Sequence, residues 1–301
     1  MPTDTQASFA VLSVSTEKGE KNMSINLAAK FTPYVDEKLT QDSKKSLLTN
    51  CDYDWSGAKT VKVYKVTTAQ MSDYDRSGSG ANSSRYGAVQ GLDATTEDLT
   101  VTKDRSFTFA IDKLDSDETV MQLQAASALE RQVREVVIPE IDSHIYSVMC
   151  TNAGTKPAAK KLTSENIYSE ILKASETLDD ANAPETDRVL LVSPATYSIM
   201  KKCPDIIMQT EVGADMRAKG VIGMLDGASV VKVPSNRLPE DFGFLLAHPC
   251  ATVAPTKLED YKIHEDPPGI SGSLVEGRVN YDAFVLDNKA NALYYQEADN
   301  D

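Results

Sequence analysis

Two stretches, Lys59-Thr-Val-Lys-Val-Tyr-Lys-Val-Thr67 and Leu99-Thr-Val-Thr-Lys-Asp-Arg-Ser-Phe-Thr-Phe-Ala-Ile111, bracket Asp73-Tyr-Asp-Arg-Ser-Gly-Ser-Gly-Ala-Asn-Ser-Ser-Arg-Tyr-Gly87. The outer two alternate in polarity as strands do. The middle one is rich in glycine and serine and has no apolar pattern. Hairpin loops usually hold about two to five residues, and structureless loops beyond about 12–15 are functional or disordered. An isolated two-stranded ribbon is marginal in water. The stretch therefore predicts an extended hairpin arm that either lacks order or lies on something else. On the outbound strand Val61, Val63 and Lys65 share one side, and Lys62, Tyr64 and Val66 the other. On the return strand Leu99, Val101, Phe107, Phe109 and Ile111 share one face, opposite Thr100, Thr102, Asp104, Ser106 and Thr108. One sticky face and one wet face suit a ribbon laid on a surface.

Downstream, Asp115-Ser-Asp-Glu118 predicts the capped start of a long helix. Val120, Leu123, Ala126, Leu129, Val133, Val137, Ile141, Ile145 and Val148 step by three or four and hold one stripe through Met149. Such a rod spans about 45 Å at ~1.5 Å per residue. Pro139 lies inside it and is expected to kink the helix or weaken a turn. Thr151-Asn-Ala-Gly154 ends it. Upstream, Thr32-Pro33 predicts a helix over Pro33 to Leu48, with Leu27, Phe31, Val35 and Leu39 on its approach and stripe. Asn50 to Gly57, with the single tryptophan Trp55, interrupts it. Residues 1–22 are polar and unpatterned, and Met23-Ser-Ile-Asn-Leu reads as a second possible start. Either the first stretch is a flexible arm or translation begins at Met23.

From residue 155 to about 250 helix and strand alternate. Helices are expected from Thr163 through Leu178 and from Pro194 through Lys202. Strands are expected over Asp187–Val192, Gly227–Val233 and Phe242–Ala247, with a poorly patterned loop from Asp205 to Ala218. The tail returns to β-structure at Tyr261–His264, turns at Pro267-Pro-Gly269, and continues over Leu274–Val285 and Ala292–Tyr295. The expected class is α+β.

The formal net charge of −14 argues against a nucleic-acid-binding module, whose affinity comes largely from Lys and Arg on phosphates. It fits a soluble surface, or a wall beside nucleic acid that must not stick to it. Cys51, Cys150, Cys203 and Cys250 are widely spaced, so free thiols in a reducing cytoplasm are expected. No apolar run approaches the ~20 residues of a membrane helix. His144, His248 and His264 have no metal-ligand spacing, and His248-Pro-Cys250 lacks the orienting third group of a catalytic pair. Ser193 lacks a nucleophile-elbow frame and is expected to cap a helix. Asp73-Tyr-Asp-Arg-Ser-Gly78 resembles half a calcium loop, but Ser84 stands where the bidentate glutamate belongs. No catalytic residue, cofactor or metal is expected.

Three segments carry a resemblance: Arg134-Glu-Val-Val-Ile-Pro-Glu-Ile-Asp142, Gly223-Met-Leu-Asp-Gly-Ala-Ser-Val-Val-Lys-Val-Pro-Ser-Asn-Arg-Leu-Pro239, and Asp266-Pro-Pro-Gly-Ile-Ser-Gly272 continuing through Val279-Asn-Tyr-Asp-Ala-Phe-Val-Leu-Asp-Asn-Lys289. With the arm and the rod they resemble, in order, the major capsid protein of tailed bacteriophages, whose fold is shared by herpesviruses and encapsulins. The resemblance implies an N-terminal arm (1–50), an extended loop (51–115), a spine helix of a peripheral domain (116–154), an α/β axial domain (155–255) and closing peripheral strands (256–301). It implies a structural protein, not an enzyme, forming pentamers and hexamers of an icosahedral shell around double-stranded DNA. Partners would be further copies of itself, a separate scaffolding protein and a portal, without sequence-specific DNA binding and without a membrane. The place would be the virion, after assembly in the host cytoplasm. The expected intersubunit residues on the loop are Tyr74, Arg76, Arg85, Tyr86, Leu99, Val101, Phe107 and Phe109. Those on the spine are Arg134, Glu135, Pro139, Glu140 and Asp142. The tip from Met71 to Gly91 has no lysine, so covalent crosslinking of shells is not expected. The rival readings are an encapsulin-like compartment with enzyme cargo and an α/β enzyme over 155–250, the latter lacking a converging polar set.

Overall fold

The return strand of the arm divides in two. In the computed structural model, which describes residues 41–50, 52, 53, 55, 59–77, 85–87, 91–114, 124–206 and 221–299, the strands in chain order are β1 (Thr60–Val66), β2 (Ala94–Thr100), β3 (Lys103–Asp112), β4 (Val189–Val192), β5 (Val221–Leu225), β6 (Ala228–Lys232), β7 (Phe242–Ala247), β8 (Thr252–Val253), β9 (Thr256–Glu265), β10 (Gly272–Tyr281), β11 (Phe284–Val285) and β12 (Leu293–Glu297). The helices are α1 (Lys45–Leu48), α2 (Ala125–Gln132), α3 (Ile138–Thr151), α4 (Ile167–Asp180) and α5 (Pro194–Met200). These residues belong to one unit, Asp36–Asp301. The N-terminal helix expected from Pro33, the cap at Asp115–Glu118 and the loop from 207 onward lie wholly or partly outside the described residues.

Only β2 pairs with β1, Val61 opposite Leu99, Val63 opposite Glu97 and Tyr64 opposite Thr96. The expectation of one continuous strand from Leu99 to Ile111 fails at Val101-Thr102. Val101 is buried, and the Thr102 amide and hydroxyl both donate to Asp282 Oδ2, at 2.9 and 2.8 Å. These bonds take the backbone out of the ribbon, and β3 then pairs with β10, not β1. The odd-numbered face is apolar at Leu99 and Val101, charged at Lys103 and Arg105 just past the break, and apolar again from Phe107, so only those two residues marked the place.

A three-stranded antiparallel sheet, ordered β3-β10-β9, follows. Its inward face carries Phe107, Phe109, Val275, Val279 and Tyr261. Gly277 pairs with Phe107 on one side and Tyr261 on the other. The Phe107 ring lies over Gly277 so closely that a Cβ there would meet it at 2.3 Å. The opposite face is laced with charge: Arg278 grips Asp104 with two bonds of 2.9 and 2.6 Å, and Lys262 pairs with Asp260 at 2.8 Å.

Pro139 does alter the long helix. Between α2 and α3, Val133–Val137 forms one π-helical turn in which the Ile138 amide donates to the Val133 carbonyl. Pro139 has no N–H for the Glu135 carbonyl, and its ring crowds that turn. A π turn absorbs the defect by adding one residue to the spiral. From Ala125 to Thr151 the rod runs about 40 Å at ~1.5 Å per residue.

A five-stranded sheet, ordered β12-β7-β4-β6-β5, forms the other half of the core, with β4 and β6 parallel. Alternate residues of β4 serve its two faces. Leu190 and Val192 pack under α4 and α5 with Ile167, Ile171, Leu178, Met200 and Phe244. Val189 and Leu191 pack under the rod with Ile145, Tyr146, Met149 and Leu48. The sequence reading placed no strand over Val221–Leu225. The signal was present, because Asp226-Gly227 takes the two positive φ angles of a tight hairpin between β5 and β6.

Candidate functional site

The arm root is anchored by a third apolar cluster. Val61 and Val63 from β1 pack against Trp55, Leu99, Val101, Val253, Leu286 and Phe284. The Trp55 ring stacks on Phe284 at 5.9 Å, and its Nε1 donates to the Leu99 carbonyl at 3.4 Å. Leu99 and Val101, expected among the intersubunit contacts, are each 3% exposed and serve the chain's own core. Phe107 and Phe109, expected on the same arm face, stack on each other at 6.2 Å within the three-stranded sheet.

Alternation then fixes what the ribbon shows outward. Because Val61, Val63 and Lys65 point inward, Tyr64 and Val66 point outward, flanked across the ladder by Thr96 and Ala94. Tyr64 is 72% exposed. Towards the tip the Asp75 amide donates to the Arg85 carbonyl at 2.9 Å, and the Tyr74 and Tyr86 rings meet edge-on at 5.0 Å. Arg76 and Arg85 are exposed beside them. Of the eleven large hydrophobic side chains exposed among the described residues, six lie on this arm: Tyr64, Val66, Met71, Tyr74, Tyr86 and Leu92. Ser84, the residue that argued against calcium, lies outside the described residues.

The spine residues divide into an exposed end and a buried end. Arg134 and Glu135 sit in the π turn, Arg134 exposed and Glu135 half-buried. Glu140, next to Pro139, accepts hydrogen bonds from Arg105 Nε at 2.7 Å and the Tyr281 hydroxyl at 3.2 Å, tying the rod to the three-stranded sheet. Asp142 is 1% exposed. It accepts from Arg237 at 2.9 Å and from the Ser43 hydroxyl at 2.6 Å. Burial pushes the Asp142 carboxyl above its ordinary range, against the pull of Ser43 and Arg237. This pair joins two of the sequence segments singled out above. Arg237, which sequence reasoning did not single out, also donates to the Gln41 carbonyl.

His144 is engaged with Asp282 at 2.9 Å. Burial disfavours the charged form of Asp282. Bonds from His144, the Thr102 and Ala283 amides and the Thr102 hydroxyl outweigh it and hold the carboxyl below the usual carboxylate range. Spine, closing strands and the exit of the arm therefore meet at one carboxylate. The other candidates for chemistry have structural partners. His248 Nδ1 accepts from the Cys250 amide at 3.2 Å, and Ser193 Oγ accepts from the Thr196 amide at 3.1 Å, capping α5. Burial moves the Cys250 thiol up and the His248 imidazole down, away from a thiolate–imidazolium pair. Among the described residues no group of three or more His, Cys, Asp or Glu converges on a metal position.

No family model matches the sequence, and no curated protein matches it. Solved structures do. A structure of Mycobacterium phage Che8 superposes with a TM-score of 0.66 at 19% identity, over 92% of this chain and 98% of that one. The capsid of the cyanophage P-SCSP1u gives 0.66 at 16%, over 95% and 96%. The mature capsid of bacteriophage PhiM1 gives 0.66 at 13%, over 91% and 92%. Coverage is nearly complete in both directions. The chain has the tailed-phage capsid fold.

Proposed function

We propose that this chain is the major capsid subunit of a tailed bacteriophage, a structural protein rather than an enzyme. Copies assemble into pentamers and hexamers, with the five-stranded domains around local symmetry axes and each arm lying across a neighbour. The closed icosahedral shell encloses double-stranded DNA without reading its sequence. The observation that carries this is an arm that exposes Tyr64, Val66, Met71, Tyr74 and Tyr86, on a chain that matches capsid structures over nine-tenths of its length. The intersubunit residues of the arm are then Tyr64, Val66, Tyr74, Arg76, Arg85 and Tyr86, in place of Leu99 and Val101. A separate scaffolding protein and a portal complete the particle, which is assembled in the host cytoplasm.

Co-expression with the scaffolding protein of its own phage, followed by electron microscopy, tests the reading. Closed icosahedral shells are expected, and particles from infected cells should protect DNA from nuclease. A stable monomer at high concentration, or shells holding protein cargo instead of DNA, refutes it.

A further inference from the structure

Lys65 is the last residue of β1 on the inward face, and its ammonium reaches two carboxylates. One is Glu97, across the ribbon on β2, at 3.1 Å. The other is Asp287, in the turn that follows β11 in the body of the subunit. The Asp287 amide also faces Glu97 Oε2, at 3.4 Å. Both strands of the arm are thus tied to the body at one point. The two carboxylates hold the Lys65 ammonium above its ordinary value. Inside this point the arm rests on the apolar root. Just beyond it, Val66 is 59% exposed and Met71 wholly exposed. The Lys65 and Glu97 side chains are mostly covered, at 21% and 14% exposure, whereas that of Asp287 is 69% exposed.

We propose that Lys65, Glu97 and Asp287 form a clasp that sets the angle of the arm in the unassembled subunit, so that its outer face meets a neighbour already aimed. The proposal rests on the capsid reading above. Two valines form a pivot, because apolar contact is non-directional. A charge triad of one base and two acids has direction, and it sits beside Tyr64 and Val66, whose orientation it therefore fixes. Holding a contact surface in its bound orientation removes ordering losses at association. Lys65 is a positioning residue here; it needs no contact with the neighbour.

The test uses the full chain as wild type, Lys65→Met, Asp287→Asn and the exchanged pair Lys65→Asp with Asp287→Lys. Amide exchange over residues 94–100 is measured in dilute unassembled protein, and assembly by light scattering and electron microscopy. Lys65→Met should speed exchange in that segment by up to about fivefold, the ceiling for one largely surface ion pair, with the thermal midpoint nearly unchanged. It should also slow assembly and give open or irregular shells, as should Asp287→Asn. The exchanged pair keeps one base between two acids and should restore both readouts. Unchanged exchange in Lys65→Met overturns the clasp, as do shells identical to wild type in rate and form. Impaired assembly that the exchanged pair fails to restore also overturns it and assigns Lys65 to a contact with the neighbour. A wild-type chain that never assembles even with the scaffolding protein of its own phage refutes the capsid reading instead, and the exchange measurement still decides whether the clasp exists.

Discussion

Asp142 and Arg237 join the rod to the turn after β6 with both groups almost fully buried, at 1% and 4% exposure. Truncating one partner strands the other charge out of water. Asp142→Ala is expected to destabilise the subunit by about 3–5 kcal/mol in denaturant titration. The double change to well-packed apolar residues should recover much of that loss. Asp282 gives a pH signature. Its carboxyl is held below the ordinary value of 3.8, so its contribution is complete above that value and is lost as pH falls through the lowered one. Thermal midpoints of wild type and Asp282→Asn should therefore differ at neutral pH, begin to converge as pH falls below about 3.8, and meet only below the lowered value. Gly277 has a steric signature. Gly277→Val places side-chain atoms inside the Phe107 ring and should cost about 1–3 kcal/mol of stability, the usual penalty of overpacking. The opening sequence made Phe107 an arm residue; only its neighbour across the ladder shows that it closes over a glycine in another sheet.

On the arm, one step in sequence separates two outcomes, because successive strand residues face opposite ways. Val63→Asp drives a carboxylate into the cluster of Trp55, Leu99 and Val101 and should cost more than about 2 kcal/mol, with the Trp55 fluorescence shifting red as the root opens. Tyr64→Asp changes an exposed outer position and should leave monomer stability within about 0.5 kcal/mol. Its effect should appear in assembly, which light scattering follows. Equal effects of both on the folded monomer would mean that the ribbon does not rest on its odd-numbered face. The rod carries a similar lesson. Its apolar stripe was legible at a spacing of three or four, and Pro139 flagged where it would yield. That the yield takes the form of a π turn over Val133–Val137 was not legible, because the phase of the rod is set by the packing of its second half, from Ile141 to Cys150, in the core.

At the scale of the whole molecule, charge and shape act against each other. A subunit of net charge −14 repels its copies, while on the capsid reading proposed above the exposed apolar side chains of the arm draw them together. Screening shortens the repulsion to about 10 Å at 0.1 M salt and leaves short apolar contacts intact. Assembly of the subunit with its scaffolding protein should therefore accelerate between about 0.01 and 0.1 M salt, as the Debye length falls from ~30 to ~10 Å. A rate that falls steadily over that range would mean that attraction between charges, not apolar contact, drives association.

Sequence by itself determined the elements whose signal is local. Phe242–Ala247 is a strand because six consecutive small or apolar residues suit burial on both faces, and Ser193-Pro194 starts a helix because a hydroxyl cap and a fixed φ suit its first turn. The long arm was legible for the same reason, as was the rod. Only the tertiary structure decided where the arm ends, which of its faces is outermost, and that Asp142 meets Arg237. Those outcomes depend on partners far along the chain, Asp282 for Thr102, Phe284 for Trp55 and Asp287 for Lys65. A pattern of period two records that a strand has two faces, and only the packed neighbours determine which of them is covered.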